Sequence, residues 1–220
     1  MSNDATQRYR HVDRAGRMAG MRALFILGLL IMAAGLSPAC TYSQSRVGRP
    51  GTLSPTLAPM VFKEEGALIL MTAGTTATRF HENDPFIPLE VWVANKGVDP
   101  YIRISRESFY LVDTFGKRYG MAGVEEVRRL QTGAAMDRQN TSAEYNAFKF
   151  QAYRPVESQF FPLVGVALLH DRIELPRYGV MRDILYFPRP DGNLIGGVFE
   201  LHLAARELPE DVFVVFEVTK

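Results

Sequence analysis

Phe86-Ile87-Pro88-Leu89-Glu90-Val91-Trp92-Val93-Ala94-Asn95 is the stretch that decides the fold class. Ile87, Leu89, Val91 and Val93 fall on one side of an extended chain, with Glu90 and Trp92 on the other. A period of two belongs to a β-strand with one face in a core. On this reading Glu90 faces solvent, so replacing it costs little. Trp92, the only tryptophan, packs in the core or beneath a loop. Downstream, Asn95-Lys96-Gly97 reads as a turn, after which Ile102 and Ile104 alternate. Phe109 and Leu111 alternate again and stop at Asp113-Thr114-Phe115-Gly116, with Asp first and Gly last as a type I turn prefers. Upstream, Leu68 to Met71 forms an earlier strand.

The same pattern returns near the C-terminus. Ile184 to Phe187 leads into the turn Arg189-Pro190-Asp191-Gly192. Val198 to Leu203 alternates, with Glu200 and His202 facing outward. Val212 to Val218 is apolar enough for a central strand covered on both faces. Six or more short strands separated by turns predict a mainly β protein, a β-sandwich, with a closed barrel as the alternative. Residues from about 121 to 175 break the pattern and read as a partly helical insertion. Within it Val124, Val127 and Leu130 suit a short amphipathic helix with Glu125 and Arg129 paired four apart. Asp137 to Asn146 fits a helix or a loop.

Val91-x-Val93-x-Asn95, Ser105 to Tyr119 and Leu185-Tyr186-Phe187-Pro188 resemble the immunoglobulin-like domains of exported bacterial lipoproteins, over residues 86–119 and 184–203. The resemblance implies an immunoglobulin-like β-sandwich and a role in adhesion, envelope assembly or protein contact.

The N-terminus carries an address. Ala23 to Ala39 is an uncharged, largely apolar run preceded by Arg8, Arg10, Arg14, Arg17 and Arg22. A basic lead, an apolar run and small residues at its end have the form of a secretory signal peptide, here residues 1–39. Met18 and Met21 are alternative starts to Met1. An uncleaved membrane anchor is the rival, but Pro38 and the polar residues after Cys40 make a run long enough to span a bilayer a poor fit. Ser37-Pro38-Ala39-Cys40 resembles the lipobox of bacterial lipoproteins, with Ser37 where leucine is usual. That resemblance implies a lipid on Cys40, cleavage before it and anchorage on the periplasmic side of an outer membrane. Cys40 is the only cysteine, so no intrachain disulfide forms, and lipidation removes an otherwise unpaired thiol from an oxidising compartment. Thr41 to Pro59 is rich in Ser, Thr, Pro and Gly and reads as a tether, so 40–59 links the anchor to a domain at 60–220.

Composition narrows the function. The 220 residues are 47% hydrophobic and 22% charged, as expected of a globular protein and not of a disordered chain. Removing five arginines and two aspartates with residues 1–40 takes 25 basic and 24 acidic residues to 20 and 22, a net charge of −2. So balanced a charge excludes a general nucleic-acid surface. No phosphate-binding loop, dinucleotide fingerprint or Gly-x-Ser-x-Gly elbow occurs. His81-Glu82-Asn83-Asp84 is the densest polar cluster and reads as a solvated turn. A metal-dependent enzyme built on His81 and His170 is the weaker reading, so no catalytic residue, metal or cofactor is assigned. A small-ligand or polysaccharide binder using Trp92 and Arg103 is the alternative. The favoured reading is a non-enzymatic, membrane-anchored envelope lipoprotein that binds an envelope protein. Phe148, Phe150, Tyr153 and Arg154 supply the aromatic and arginine side chains that dominate such contacts.

Overall fold

The computed structural model describes residues 53–130, 134–141, 143–161 and 169–220. All described residues lie in one compact unit. Residues 1–39, read above as a signal peptide, Cys40 and the expected tether up to residue 52 lie outside the described residues. Among the described residues no helix is long and apolar enough to cross a membrane.

The domain is a mainly β sandwich. Its strands are β1 (Thr56–Ala58), β2 (Val61–Glu65), β3 (Ile69–Gly74), β4 (Phe86–Asn95), β5 (Tyr101–Ser105), β6 (Phe109–Asp113), β7 (Arg118–Gly120), β8 (Arg154–Val156), β9 (Arg172–Pro176), β10 (Gly179–Pro188), β11 (Val198–Leu203) and β12 (Val212–Glu217). They form a six-stranded sheet in the order β1-β2-β3-β4-β10-β8 and a four-stranded sheet in the order β12-β11-β6-β7. β5 and β9 make a two-stranded ribbon. Every pairing is antiparallel except the short parallel contact of β8 with β10.

β4 lies at the centre of the larger sheet, with Met71 opposite Val93 on one side and Leu185 opposite Leu89 on the other. These residues and their same-face neighbours share one core with Leu111, Leu201, Val214 and Phe216 of the smaller sheet. Phe216 touches both sheets: its ring centroid lies 6.4 Å from Phe62 and 5.8 Å from Phe199. Ile102, Ile104, Ile173 and Leu175 close one side of this core, while Arg103 and Glu174 pair on the outer face of the ribbon. The core-facing alternation read from Ile87 to Val93 therefore holds.

Pro88 is unusual in a central strand because it has no N–H for the ladder. β3 pairs with β4 only as far as Gly74 opposite Glu90, so among the described residues no strand pairs with Pro88 on that flank. The Thr78 hydroxyl takes the vacant place and donates to the Pro88 carbonyl. The expected turns also form. Gly116 N–H donates to Asp113 O at 3.0 Å with Gly116 at φ +81°, a backbone that suits glycine.

Several boundaries differ from the sequence reading. The tether ends earlier: Thr56–Ala58 is already a strand, Ser54 N–H donates to Val215 O, and Val215 N–H donates to Ser54 Oγ. Backbone groups of 53–59 are thus paired with the domain. β12 is a terminal strand of its sheet, not a central one, and this same Ser54 segment covers its free edge.

Among the described residues the insertion has three helices: α1 (Val124–Leu130), α2 (Ala134–Gln139) and α3 (Ala143–Phe150). On α1 the ion pair is Arg128 with Glu125, three apart, where Glu125 with Arg129 was expected. The insertion closes before 175, because Arg172 to Pro176 belongs to β9. Arg106 fastens both of its ends, donating to the backbone carbonyls of Ala122 and Phe160 while its guanidinium covers the Phe161 ring. Phe160 packs edge-on against Phe109 and Phe161 against Tyr186. These two aromatics belong to the main core.

Candidate functional site

The outer face of β4 and β10 is where polar chemistry collects. Glu90, expected in solvent, is 2% exposed. Gly74 stands opposite it, and a Cβ there would lie 3.3 Å from both Glu90 Cβ and Oε2, so the glycine leaves room for the carboxylate. Glu90 Oε1 accepts from Trp92 Nε1 at 3.0 Å and from Arg182 Nε at 3.0 Å. Arg182 in turn donates to Thr141 Oγ1 at 3.0 Å. Trp92 stacks on Phe150 at 5.0 Å, and Leu70, Ala94, Val180 and Tyr153 complete a second, smaller core. The helices therefore cover this face, and Trp92 is the underside of that cover.

A second network lies at the other end of the same face. His81 is buried, not solvated as its sequence suggests. Its Nδ1 lies 2.6 Å from Asp84 Oδ2, and its Nε2 lies 2.6 Å from Asp137 Oδ1 on α2. Tyr186 donates to the other Asp137 oxygen at 2.8 Å. Burial by itself pushes the His81 pKa down. The hydrogen bonds and charges of Asp137 and Asp84 outweigh burial and hold it above the ordinary value. Protonated His81 donates to a carboxylate on each side. Burial, then the Asp137 charge, pushes the Tyr186 hydroxyl up, so it remains a donor. On the core side of the same strand, Asp183 accepts from the backbone N–H groups of Phe160 and Ile184, yet burial raises its pKa to about 7.

The four residues expected to meet a partner separate into different environments. Phe148 on α3 is 77% exposed. Arg154 is exposed at the start of β8, where its N–H bonds Tyr178 O. Tyr153 is half-buried against the smaller core. Phe150 is buried on Trp92, so it packs instead of offering a contact, a correction to its expected role. Phe150, Tyr153, Trp92 and Arg182 also line a cavity of about 530 Å³. The alternative ligand reading at Trp92 and Arg103 requires an aromatic-lined cleft; one lies beside Trp92, but Arg103 is not part of it. Arg103 pairs with Glu174 and Glu207 and lines a separate cavity of about 520 Å³.

The remaining histidines have local roles. His202, expected at the surface, is 8% exposed and stacks between Tyr110 and Phe213 at 4.7 and 4.9 Å. Its Nε2 lies 2.7 Å from Glu200 Oε2. Tyr110 donates to Asp211, and burial with this bond pushes its hydroxyl up to about 12. His170 is half-buried, and its backbone N–H donates to Gln159 O. Among the described residues, no group of three or more His, Cys, Asp or Glu is arranged to hold a metal ion.

The residues that sequence reasoning missed are Glu90, Arg182, Asp137 and Tyr186. They come from three separated segments, β4, α2 and β10, and a charge inside an alternating strand ordinarily marks the wet face. The one local hint is Trp92, two residues from Glu90 on the same face, which requires a cover. No family model, curated protein or solved structure matches this chain.

Proposed function

We propose that this chain is a non-enzymatic envelope lipoprotein, held at a membrane by lipid on Cys40, whose insertion presents a contact surface for an envelope protein. Ser37-Pro38-Ala39-Cys40 after an uncharged run supports the anchor, and two or three acyl chains anchor a protein stably. The likeness of residues 86–119 and 184–203 to immunoglobulin-like domains of exported lipoproteins agrees with it. Thr41 follows the cysteine where inner-membrane retention usually shows Asp, which supports a periplasmic-side outer-membrane location over the inner membrane.

The observation that carries the contact is Phe148. It is a large aromatic, 77% exposed, on the helix that covers Trp92. Exposed aromatics on a rigid element supply contact area at little entropic cost. Arg154, whose side chain makes no ion pair among the described residues, is the accompanying charge.

Two measurements test the proposal. The intact mass of membrane-extracted protein should start at Cys40 and carry acyl chains, and Cys40→Ser should leave the membrane fraction. A photo-crosslinker at position 148 in native envelopes should give one discrete adduct, and a crosslinker at Phe115, 93% exposed in a distant turn, should give none. An unacylated mature chain refutes the anchor. Equal crosslinking at both positions refutes the contact.

A further inference from the structure

The cavity over the outer face of β4 and β10 has a lining that a protein contact at Phe148 leaves unused. Its wall is apolar, formed by Phe150, Tyr153, Val156 and Val180. Its polar side chains are Arg138, Arg182, Gln151, Glu157, Ser158 and Gln159. At about 530 Å³ it falls within the range of small-molecule sites, which combine apolar walls with a few placed polar groups.

The polar groups are mostly donors. Arg182 is held in position by Glu90 and Thr141, which take two of the five N–H groups that a guanidinium offers. Arg138 makes no ion pair or side-chain hydrogen bond among the described residues, although it lines the same space. Gln159 is 6% exposed, and among the described residues its Nε2 has no hydrogen-bond partner. A buried, unpartnered amide calls for an acceptor. The Ser158 hydroxyl is already committed to donating to Arg182 O. That leaves Glu157 as the one charged acceptor of the rim. A complementary occupant therefore brings acceptor oxygens and an apolar body. Glu157 also opposes a doubly charged group, which favours a carboxylate over a phosphate.

We propose that this cavity binds a small organic monocarboxylate with an aryl or short alkyl body. The carboxylate faces Arg138, Arg182 and Gln159, and the body lies against Phe150, Tyr153 and Val180. The site stands whether or not the chain is lipidated and whether or not Phe148 meets a partner.

Trp92 lines the cavity and is the only tryptophan, so its fluorescence reports occupancy. The full chain is titrated with 3-phenylpropanoate, octanoate, the neutral 3-phenylpropan-1-ol and phenyl phosphate. At least one carboxylate should give a saturable change below about 1 mM, and the alcohol and the phosphate should bind about tenfold more weakly or worse. Arg138→Gln should weaken carboxylate binding about tenfold without changing binding of the alcohol or the melting temperature. Ala147→Phe, an exposed helical position at the cavity wall, should block all four probes with the fold intact. The proposal is overturned if neither carboxylate saturates, if the alcohol binds as well as the acid, or if both variants bind like the parent.

Discussion

β4 buries both of its faces, and it does so by different means. On the inner face Ile87, Leu89, Val91 and Val93 meet the second sheet, and apolar area removed from water does the work. On the outer face Glu90 and Trp92 are covered by a helical insertion, and the partners are specific: Arg182, Phe150 and Thr141. The first kind of burial tolerates apolar side chains of matching volume and shape. The second depends on each polar group finding its partner, because a buried donor or acceptor left alone costs more than the bond contributes. The difference teaches that a charged residue on the face opposite a core can still be buried, when a distant segment supplies the complementary groups.

The largest expected effect tests the inner face. Leu89→Ala removes a fully buried side chain and should cost about 2–5 kcal/mol in urea unfolding. A loss under 1 kcal/mol would mean that the two sheets do not share a packed core.

Glu90→Ala tests the outer face. It strips the shared acceptor from Trp92 Nε1 and Arg182 Nε and should cost about 1–3 kcal/mol, where a solvated glutamate would cost almost nothing. Arg182 is partly exposed, which keeps the effect below that of a fully buried ion pair. Glu90→Gln, which retains one acceptor, should recover part of the loss.

Next comes pH. His81 has its pKa raised in the fold, so its stabilising contribution is complete below its unfolded pKa of about 6.5 and is lost as pH rises through the folded value. Asp183 is raised from 3.8 to about 7, so the fold binds its proton more tightly and stability falls as pH climbs between those values. Both groups act in the same direction. The melting temperature should be higher at pH 5 than at pH 8. Asp183→Asn should raise the pH 8 value by at least about 2–4 °C and flatten the dependence. A melting temperature that rises from pH 5 to pH 8 would refute this assignment.

The smallest effect concerns the exposed aromatics. Phe148→Ser and Phe115→Ser should each change stability by less than about 0.5 kcal/mol, since neither side chain is packed. A larger loss at Phe148 would make it part of the cover and not a contact.

The legibility of the sequence follows the same division. Ile87 to Val93, Phe109 to Leu111 and Val198 to Leu203 alternate because each lies against a core built by strands with the same period. The sandwich could be read from that period and from turns such as Asp113–Gly116. Strand order could not, because pairing β4 with β10 joins residues about 90 apart and depends on the complete set of partners. The position of β12 was misread because its apolar run is also what a terminal strand shows when Ser54 and its neighbours cover the edge. At the candidate site Trp92, Phe148, Phe150, Tyr153 and Arg154 stand out in the sequence, but which of them pack and which are exposed does not. Asp137 and Tyr186 give no local signal, and His81-Glu82-Asn83-Asp84 has the composition of a wet turn. Its burial comes from α2, a helix that sequence alone left open as a loop.

The most direct measurement is the accessibility of Trp92. Excitation of the native chain at the tryptophan edge should give blue-shifted emission and weak quenching by acrylamide, because the ring is 9% exposed beneath Phe150. Glu90→Ala should shift emission to the red and increase quenching before the β-sheet signal in circular dichroism is lost. Native emission and quenching equal to those of free tryptophan would contradict the account, since the insertion would then not cover the outer face of β4.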